Sequence, residues 1–174
     1  VIAASAPIWS FDGLQPAYDF NAFYATVTAD ASTSGGASDK CKQNLKAAWG
    51  KILEAGRTKA GRELLTTSFR TCSPVQEPSA GRDDPYSLIQ WAQVPWATLA
   101  MGNYPYASSY LMHGESILPA WPVRAACKHL SHSPTSDADL FEGLREAVAV
   151  YYNNTGSQKC FNVTGAARQR GMCG

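Results

Sequence analysis

Two neighbouring segments rich in aromatic residues and prolines constrain the fold of this chain more than any other feature. Residues 103–111 read Asn-Tyr-Pro-Tyr-Ala-Ser-Ser-Tyr-Leu, and residues 118–127 read Leu-Pro-Ala-Trp-Pro-Val-Arg-Ala-Ala-Cys. Proline fixes φ and lacks a backbone N–H, which makes such a stretch unsuitable for the interior of a helix or for a central strand. The sequence therefore predicts an irregular wall with four aromatic side chains in set positions: Tyr104, Tyr106, Tyr110 and Trp121.

Apolar residues recur at helical spacing on both sides of these segments. Pro122 is placed to open one helix. Further patterns predict helices around residues 20–27, 45–53, 60–69, 88–99 and 140–152. Because no internal repeat or low-complexity tract accompanies these patterns, the sequence predicts a mainly α chain.

Residues that suit helix ends mark several boundaries. Ser38 or Asp39 is available as the cap of a helix that stops at Gly56. Asp84–Pro85 supplies a cap followed by a proline at the first helical position. Pro95 lies inside the next helical pattern and predicts a kink or a break there.

The start of the chain has a different pattern. Val1–Pro7 is predicted to be a short buried strand ended by a proline, and the chain offers no obvious partner strand. A single strand cannot satisfy its own backbone groups, so the expectation is that the chain forms part of a larger fold. The segment is too short for a signal peptide and has no basic start.

Composition excludes several classes of protein. The 174 residues fit one domain, and 17% charged with 11% aromatic residues is typical of a globular chain. The formal net charge is +1 and no basic run stands out, which argues against a nucleic-acid partner. No apolar run approaches the roughly 20 residues of a membrane span.

A hydrolytic serine site is not recognisable in the chain. Gly-x-Ser-x-Gly, whose small residues permit the strained turn at a nucleophilic serine, is absent. His113, Glu115 and Ser116 have the residue types of a catalytic triad but crowd together in sequence. Triad members usually come from separate elements, so a solvated loop is the better interpretation of this cluster.

Metal and phosphate sites are not predicted either. His129 and His132 are three residues apart, but no carboxylate or thiolate at matching spacing completes a site. Asp83 and Asp84 are better explained by helix capping than by acid–base catalysis. Ser34–Gly36 lacks the following lysine of a phosphate-binding loop. We therefore expect no cofactor.

Cysteines and glycosylation sequons indicate an oxidising compartment. The five cysteines, at positions 41, 72, 127, 160 and 173, are widely spaced, and Asn153 and Asn162 each begin an Asn-x-Thr sequon. An odd number of cysteines leaves at least one without a partner inside the chain. We expect maturation in the secretory pathway, with glycans on both asparagines.

Two interpretations of the aromatic wall remain open from the residues alone. Large aromatic side chains usually fill a core. Rigid aromatics beside prolines are also suited to line a cleft, where Tyr104, Tyr106 and Trp121 would stack on an apolar or prolyl group of a ligand.

Ordered motifs along almost the whole chain resemble one family of serine peptidases. It includes the lysosomal Pro-Xaa carboxypeptidase, dipeptidyl peptidase II and the thymus-specific serine protease. The motifs, in chain order, are Ala3–Pro7 with Ile8-Trp9, Tyr104–Ser108, Leu118–Val123, and Val150–Asn153 before Cys160.

The resemblance implies an α/β-hydrolase with an inserted helical cap that restricts the active site to chain ends. Residues 1–8 would be a strand of the hydrolase core, residues 9–164 the cap, and residues 165–174 a tail or linker back to the catalytic domain. The catalytic triad would lie outside this chain. The implied substrate of the whole enzyme is a peptide with a proline near the scissile bond, and the implied location is lysosomal, vacuolar or extracellular.

The resemblance also implies a disulfide framework, in which Cys41 pairs with Cys127 and Cys72 pairs with Cys160. Cys173 would then pair outside the chain or stay free. Asn103 is a departure, because these relatives commonly carry an aspartate before Tyr-Pro-Tyr.

Two other classes of function compete with a peptidase cap. One is a free-standing helical module that binds a partner and has no peptidase activity. The other is a partial chain in a larger assembly, where other polypeptides complete the sheet.

Overall fold

A computed structural model describes residues 28–78, 83–112 and 116–163. Within these ranges the chain forms five complete α-helices: α1 (Asp39–Gly56), α2 (Lys59–Phe69), α3 (Pro85–Met101), α4 (Pro122–Cys127) and α5 (Asp137–Tyr152). Residues 28–30 are also helical. Short 3₁₀ segments at Thr33–Gly35 and Lys128–Leu130 accompany them. The described residues contain no strand, only two isolated bridges, so the predicted mainly α fold is confirmed. The predicted strand Val1–Pro7, the helix around 20–27 and the tail 165–174 lie outside the described residues.

Side-chain caps begin four of the helices. Ser38 accepts a hydrogen bond from the Lys40 backbone N–H, and Thr58 accepts one from Gly61. Asp84 caps α3 through the Ser87 N–H at 2.8 Å, as the Asp84–Pro85 sequence predicted. Ser136 caps α5 in the same way. These caps satisfy N–H groups that the first turn of a helix leaves without a partner.

The core lies where α3 and α5 pack against the C-terminal half of α2. Phe69 contacts Trp91 edge-on, with 6.3 Å between ring centroids, and lies 5.7 Å from Phe141. Buried Arg145 crosses this region and donates a 2.7 Å hydrogen bond to the Ser68 carbonyl near the end of α2. The guanidinium therefore satisfies a carbonyl at a helix end that would otherwise be buried without a donor.

Helix α3 continues through Pro95, so of the predicted kink or break at this residue the break does not occur. Pro95 is buried and has no N–H for the carbonyl of Trp91, four residues earlier. The Tyr152 hydroxyl supplies that hydrogen bond instead, at 2.9 Å. A donor from α5 thus compensates locally for the proline, and the helix extends to Met101.

Two disulfides connect distant parts of the chain. Cys41 in α1 is bonded to Cys127 in α4, and Cys72 is bonded to Cys160. These are the two pairs that the family resemblance implies. The first bridge is buried and the second is exposed. Cys173 lies outside the described residues.

Candidate functional site

The site is built on the irregular segment between α3 and α4, residues 102–121. Gly102 ends α3 with a backbone hydrogen bond to Thr98. At the other end, Trp121 occupies the N-cap of α4 in a left-handed conformation, with φ of 51°. The segment is therefore held between a helix C-terminus and a helix N-terminus, and its tip at 113–115 lies outside the described residues.

Backbone hydrogen bonds fix this segment although it is not regular structure. Ser108 and Leu118 exchange two of them, at 3.0 and 2.9 Å, and the Trp121 N–H donates to the Tyr104 carbonyl at 2.7 Å. Leu118 is 1% exposed and anchors the segment in the core. A Cβ on Gly102 would approach the Leu118 side chain to 3.1 Å, so a glycine suits this close approach.

Three aromatic residues of this segment, Tyr104, Tyr106 and Trp121, form what we call the aromatic rim. The Tyr104 and Tyr106 rings stack with centroids 5.5 Å apart and planes 4° from parallel. Tyr106 is 61% exposed and Trp121 is 37% exposed. Neither of these two residues belongs to the core of the described part of the chain, whereas Tyr104 is half-buried. Other exposed apolar side chains lie nearby in sequence: Met101, Tyr110 and Ile117.

An arginine extends the aromatic rim, and sequence reasoning missed it. The guanidinium carbon of Arg124 lies 5.2 Å from the centroid of the Trp121 ring, a cation–π geometry. The two residues are three positions apart across the start of α4, and this spacing places side chains on the same face of a helix. This i, i+3 spacing was the sequence signal that could have predicted the contact between Trp121 and Arg124.

Asn103 has a structural role at the same helix start. Its side-chain oxygen accepts a hydrogen bond from the Val123 backbone N–H at 3.4 Å. The amide thus satisfies one of the N–H groups in the first turn of α4, where Trp121 makes no side-chain cap. An aspartate at this position would be able to accept the same hydrogen bond and add a negative charge.

The other residues singled out from the sequence do not form a reactive centre in the described ranges. His132 contacts the Asp139 carboxylate at 3.1 Å, and hydrogen bonds from Thr135 and His132 hold the pKa of that carboxyl below its usual range. This pair supports the start of α5. Within the described part of the chain, no three His, Cys, Asp or Glu side chains are grouped to hold a metal. His113 and Glu115 lie outside the described residues.

The two sequon asparagines follow the end of α5, with Asn153 at its C-cap and Asn162 further along the chain. Asn162 is exposed, whereas Asn153 is partly buried and its amide bonds to Gln158. No helix in the described ranges is long and apolar enough to cross a membrane.

Comparisons with known proteins identify relatives over nearly the whole chain. The family described as "Serine carboxypeptidase S28" matches residues 1–171. Proteins named "Lysosomal Pro-X carboxypeptidase" from Pongo abelii and Homo sapiens are each 36% identical over 166 residues, which is 95% of this chain and 30% of theirs. "Prolyl carboxy peptidase like protein 5" of Caenorhabditis elegans is 32% identical over 92% of this chain and 30% of its own length. The chain thus spans about 30% of the length of these relatives.

Proposed function

The chain belongs to the serine carboxypeptidase S28 family, and we propose that it is the helical cap of a secreted or lysosomal serine exopeptidase that cleaves next to proline. The single observation that carries this proposal is the aromatic rim. Hydrogen bonds fix the backbone of this segment, yet Tyr106 and Trp121 are exposed to solvent and Tyr104 is half-buried, which is the arrangement that a binding wall needs.

A prolyl substrate suits such a wall. The pyrrolidine ring is flat-sided, apolar and conformationally restricted, so it loses little entropy when it stacks on an aromatic ring. Tyr104 and Tyr106 present two parallel rings, and Trp121 adds an indole next to them along the backbone. In the whole enzyme this surface would face the cleft between the cap and the catalytic domain.

The catalytic groups are proposed to come from the longer protein. Covalent catalysis requires a nucleophile and its base together, and the chain lacks the Gly-x-Ser-x-Gly turn. Its relatives extend over a much larger length, which leaves ample room for a hydrolase core. Residues 1–8 would add one strand to that core, residues 9–164 would form the cap, and residues 165–174 would lead back to it.

Two features of the chain's own chemistry support the proposed compartment. Two disulfides require an oxidising environment, and two sequons are substrates for glycosylation in the secretory pathway. The names of the Pongo abelii and Homo sapiens relatives include "lysosomal". These observations support a lysosomal, vacuolar or extracellular location.

An active-site probe tests the proposal directly. The full-length parent protein should react with a fluorophosphonate at one serine outside these 174 residues and should release the residue after proline from a peptide. The isolated 174-residue chain should remain unlabelled. Stoichiometric labelling of Ser116 or of any other serine within this chain would contradict the proposal.

A further inference from the structure

We propose that Arg124 binds the C-terminal carboxylate of the peptide substrate, beside the prolyl ring that stacks on the aromatic rim. This assignment rests on the proposed function and adds a recognition group to it. A carboxypeptidase removes the last residue of a chain, so its substrate always carries a free carboxylate one residue beyond the scissile bond. Arginine is the side chain best suited to that group, because its planar fork matches both carboxylate oxygens.

Arg124 is connected to the tyrosine pair through Trp121. Tyr106 stacks on Tyr104, the Tyr104 carbonyl accepts from the Trp121 N–H, and the Trp121 ring carries the Arg124 guanidinium at 5.2 Å. Each step is a direct contact. The residue after a proline extends at most about 7 Å to its carboxylate, so a Pro-Xaa terminus requires its prolyl and carboxylate subsites to be close neighbours.

Arg124 is exposed, and its guanidinium can donate to a ligand. Among the residues that the structure describes, no carboxylate lies within ion-pair distance of Arg124. By contrast, Arg62 pairs with Glu77, and Arg145 pairs with Glu146. The indole face orients the Arg124 group without using its N–H donors.

A small cavity of about 180 Å³ lies next to this guanidinium. Gly36 adopts φ of 77° at its edge, and a Cβ there would meet the Arg124 Nη2 atom at 2.3 Å. The guanidinium therefore occupies space that any other residue at position 36 would fill. Lys128 and the hydroxyl residues Ser38 and Ser131 also line the cavity. A second cation and two hydroxyl groups make this a favourable environment for a carboxylate.

The test compares two substrates of the full-length parent protein that differ only at the C-terminus. One is a peptide ending in Pro-Phe with a free carboxylate, and the other is the same peptide with a C-terminal amide. In Arg124→Ala, kcat/KM for the free acid should fall by about 10- to 100-fold, the range of a charge-assisted hydrogen bond. The value for the amide should be unchanged. Arg124→Lys should retain part of the preference for the free acid over the amide, because lysine keeps the positive charge. It should not retain all of it, because lysine lacks the planar guanidinium that matches both carboxylate oxygens.

Arg57→Ala is the matched control, because Arg57 is also exposed but lies at the C-terminal end of α1. Its ratio of acid to amide cleavage should equal that of the wild type. An equal loss on both substrates, or no loss on either, in Arg124→Ala would overturn the assignment while leaving the proposed peptidase function intact. A parent protein that cleaves no prolyl peptide at all would instead overturn the proposed function, and the assignment with it.

Discussion

The hydroxyl of Tyr152 donates a 2.9 Å hydrogen bond to the backbone carbonyl of Trp91. That carbonyl is the one which Pro95 leaves without its helical partner. The two rings also stack, with centroids 4.8 Å apart and planes 7° from parallel. Burial raises the pKa of Tyr152, which keeps the phenol protonated and able to donate.

A double-mutant cycle tests this compensation. Tyr152→Phe should destabilise the chain by about 1–3 kcal/mol, because it leaves a carbonyl without a donor in a partly buried position. In a Pro95→Ala background, the alanine N–H can donate to the Trp91 carbonyl as in a regular helix. Tyr152→Phe should therefore lower the free energy of unfolding by less in that background. Urea denaturation of the four proteins gives the coupling energy. Strictly additive effects would show that Tyr152 does not substitute for the missing N–H.

The two disulfides offer a comparison at nearly constant loop length. Their sequence separations are 86 and 88 residues, so the chain-entropy model predicts about 4–5 kcal/mol for either. Cys41 and Cys127 are 0% and 2% exposed, and replacing both by alanine also opens a cavity in the core. Removing that bridge should therefore cost about 1 kcal/mol more than removing Cys72–Cys160.

Reduction of the native protein provides a second measurement of the same contrast. The exposed Cys72–Cys160 bridge should react with dithiothreitol first, as seen by alkylation and peptide mapping. Equal stability losses and simultaneous reduction would argue against the difference in burial between the two bridges.

Two glycines inside helices should respond to alanine in opposite directions. Alanine is a better helix former than glycine by about 1 kcal/mol, so Gly50→Ala in α1 should stabilise the chain. Outside the surrounding turns of α1 itself, no atom of the described residues lies within 4 Å of the added Cβ. Gly143 in α5 differs, because a Cβ there would lie 2.7 Å from the His129 carbonyl oxygen. Gly143→Ala should therefore destabilise. The melting temperature of each variant measures its effect. A melting temperature above the wild-type value for both variants would show that α5 can move away from His129.

Glycans are expected on both sequons when the chain is made in a eukaryotic secretory pathway. Occupancy should be higher at Asn162, which is exposed, than at Asn153, which is partly buried. Intact mass before and after peptide-N-glycosidase treatment of wild type, Asn153→Gln and Asn162→Gln measures each site. An unchanged mass for the secreted wild type would contradict both the exposure and the compartment.

Local sequence signals predicted the helices but not the contacts between them. Ser38 and Asp84 cap their helices as residue type and spacing indicated, because a cap involves only the next two or three residues. The donor that compensates for Pro95 lies 61 residues from the carbonyl it serves, and no local pattern encodes that pairing.

In the candidate site, too, local features could be predicted from the sequence and tertiary contacts could not. The prolines at 105 and 119 predicted an irregular segment, and the structure shows one. Residue types alone did not decide whether the aromatic rim lies in the core or at the surface, because large rigid rings suit both positions. Packing decides between them, and it leaves Tyr106 exposed and Leu118 buried. The contact of Arg124 with Trp121 depends on how α4 begins, and its i, i+3 spacing becomes informative only once that start is known.

Tyr106→Ala in the full-length parent protein tests most directly the claim that the aromatic rim borders the substrate cleft. Because the side chain is 61% exposed, the urea midpoint should stay close to the wild-type value, whereas kcat/KM for a prolyl peptide should fall by on the order of tenfold. Leu118→Ala is the control for a buried neighbour and should cost about 2–5 kcal/mol of stability. A Tyr106→Ala protein that loses about 3 kcal/mol of stability but cleaves the prolyl peptide with normal kcat/KM would contradict the account.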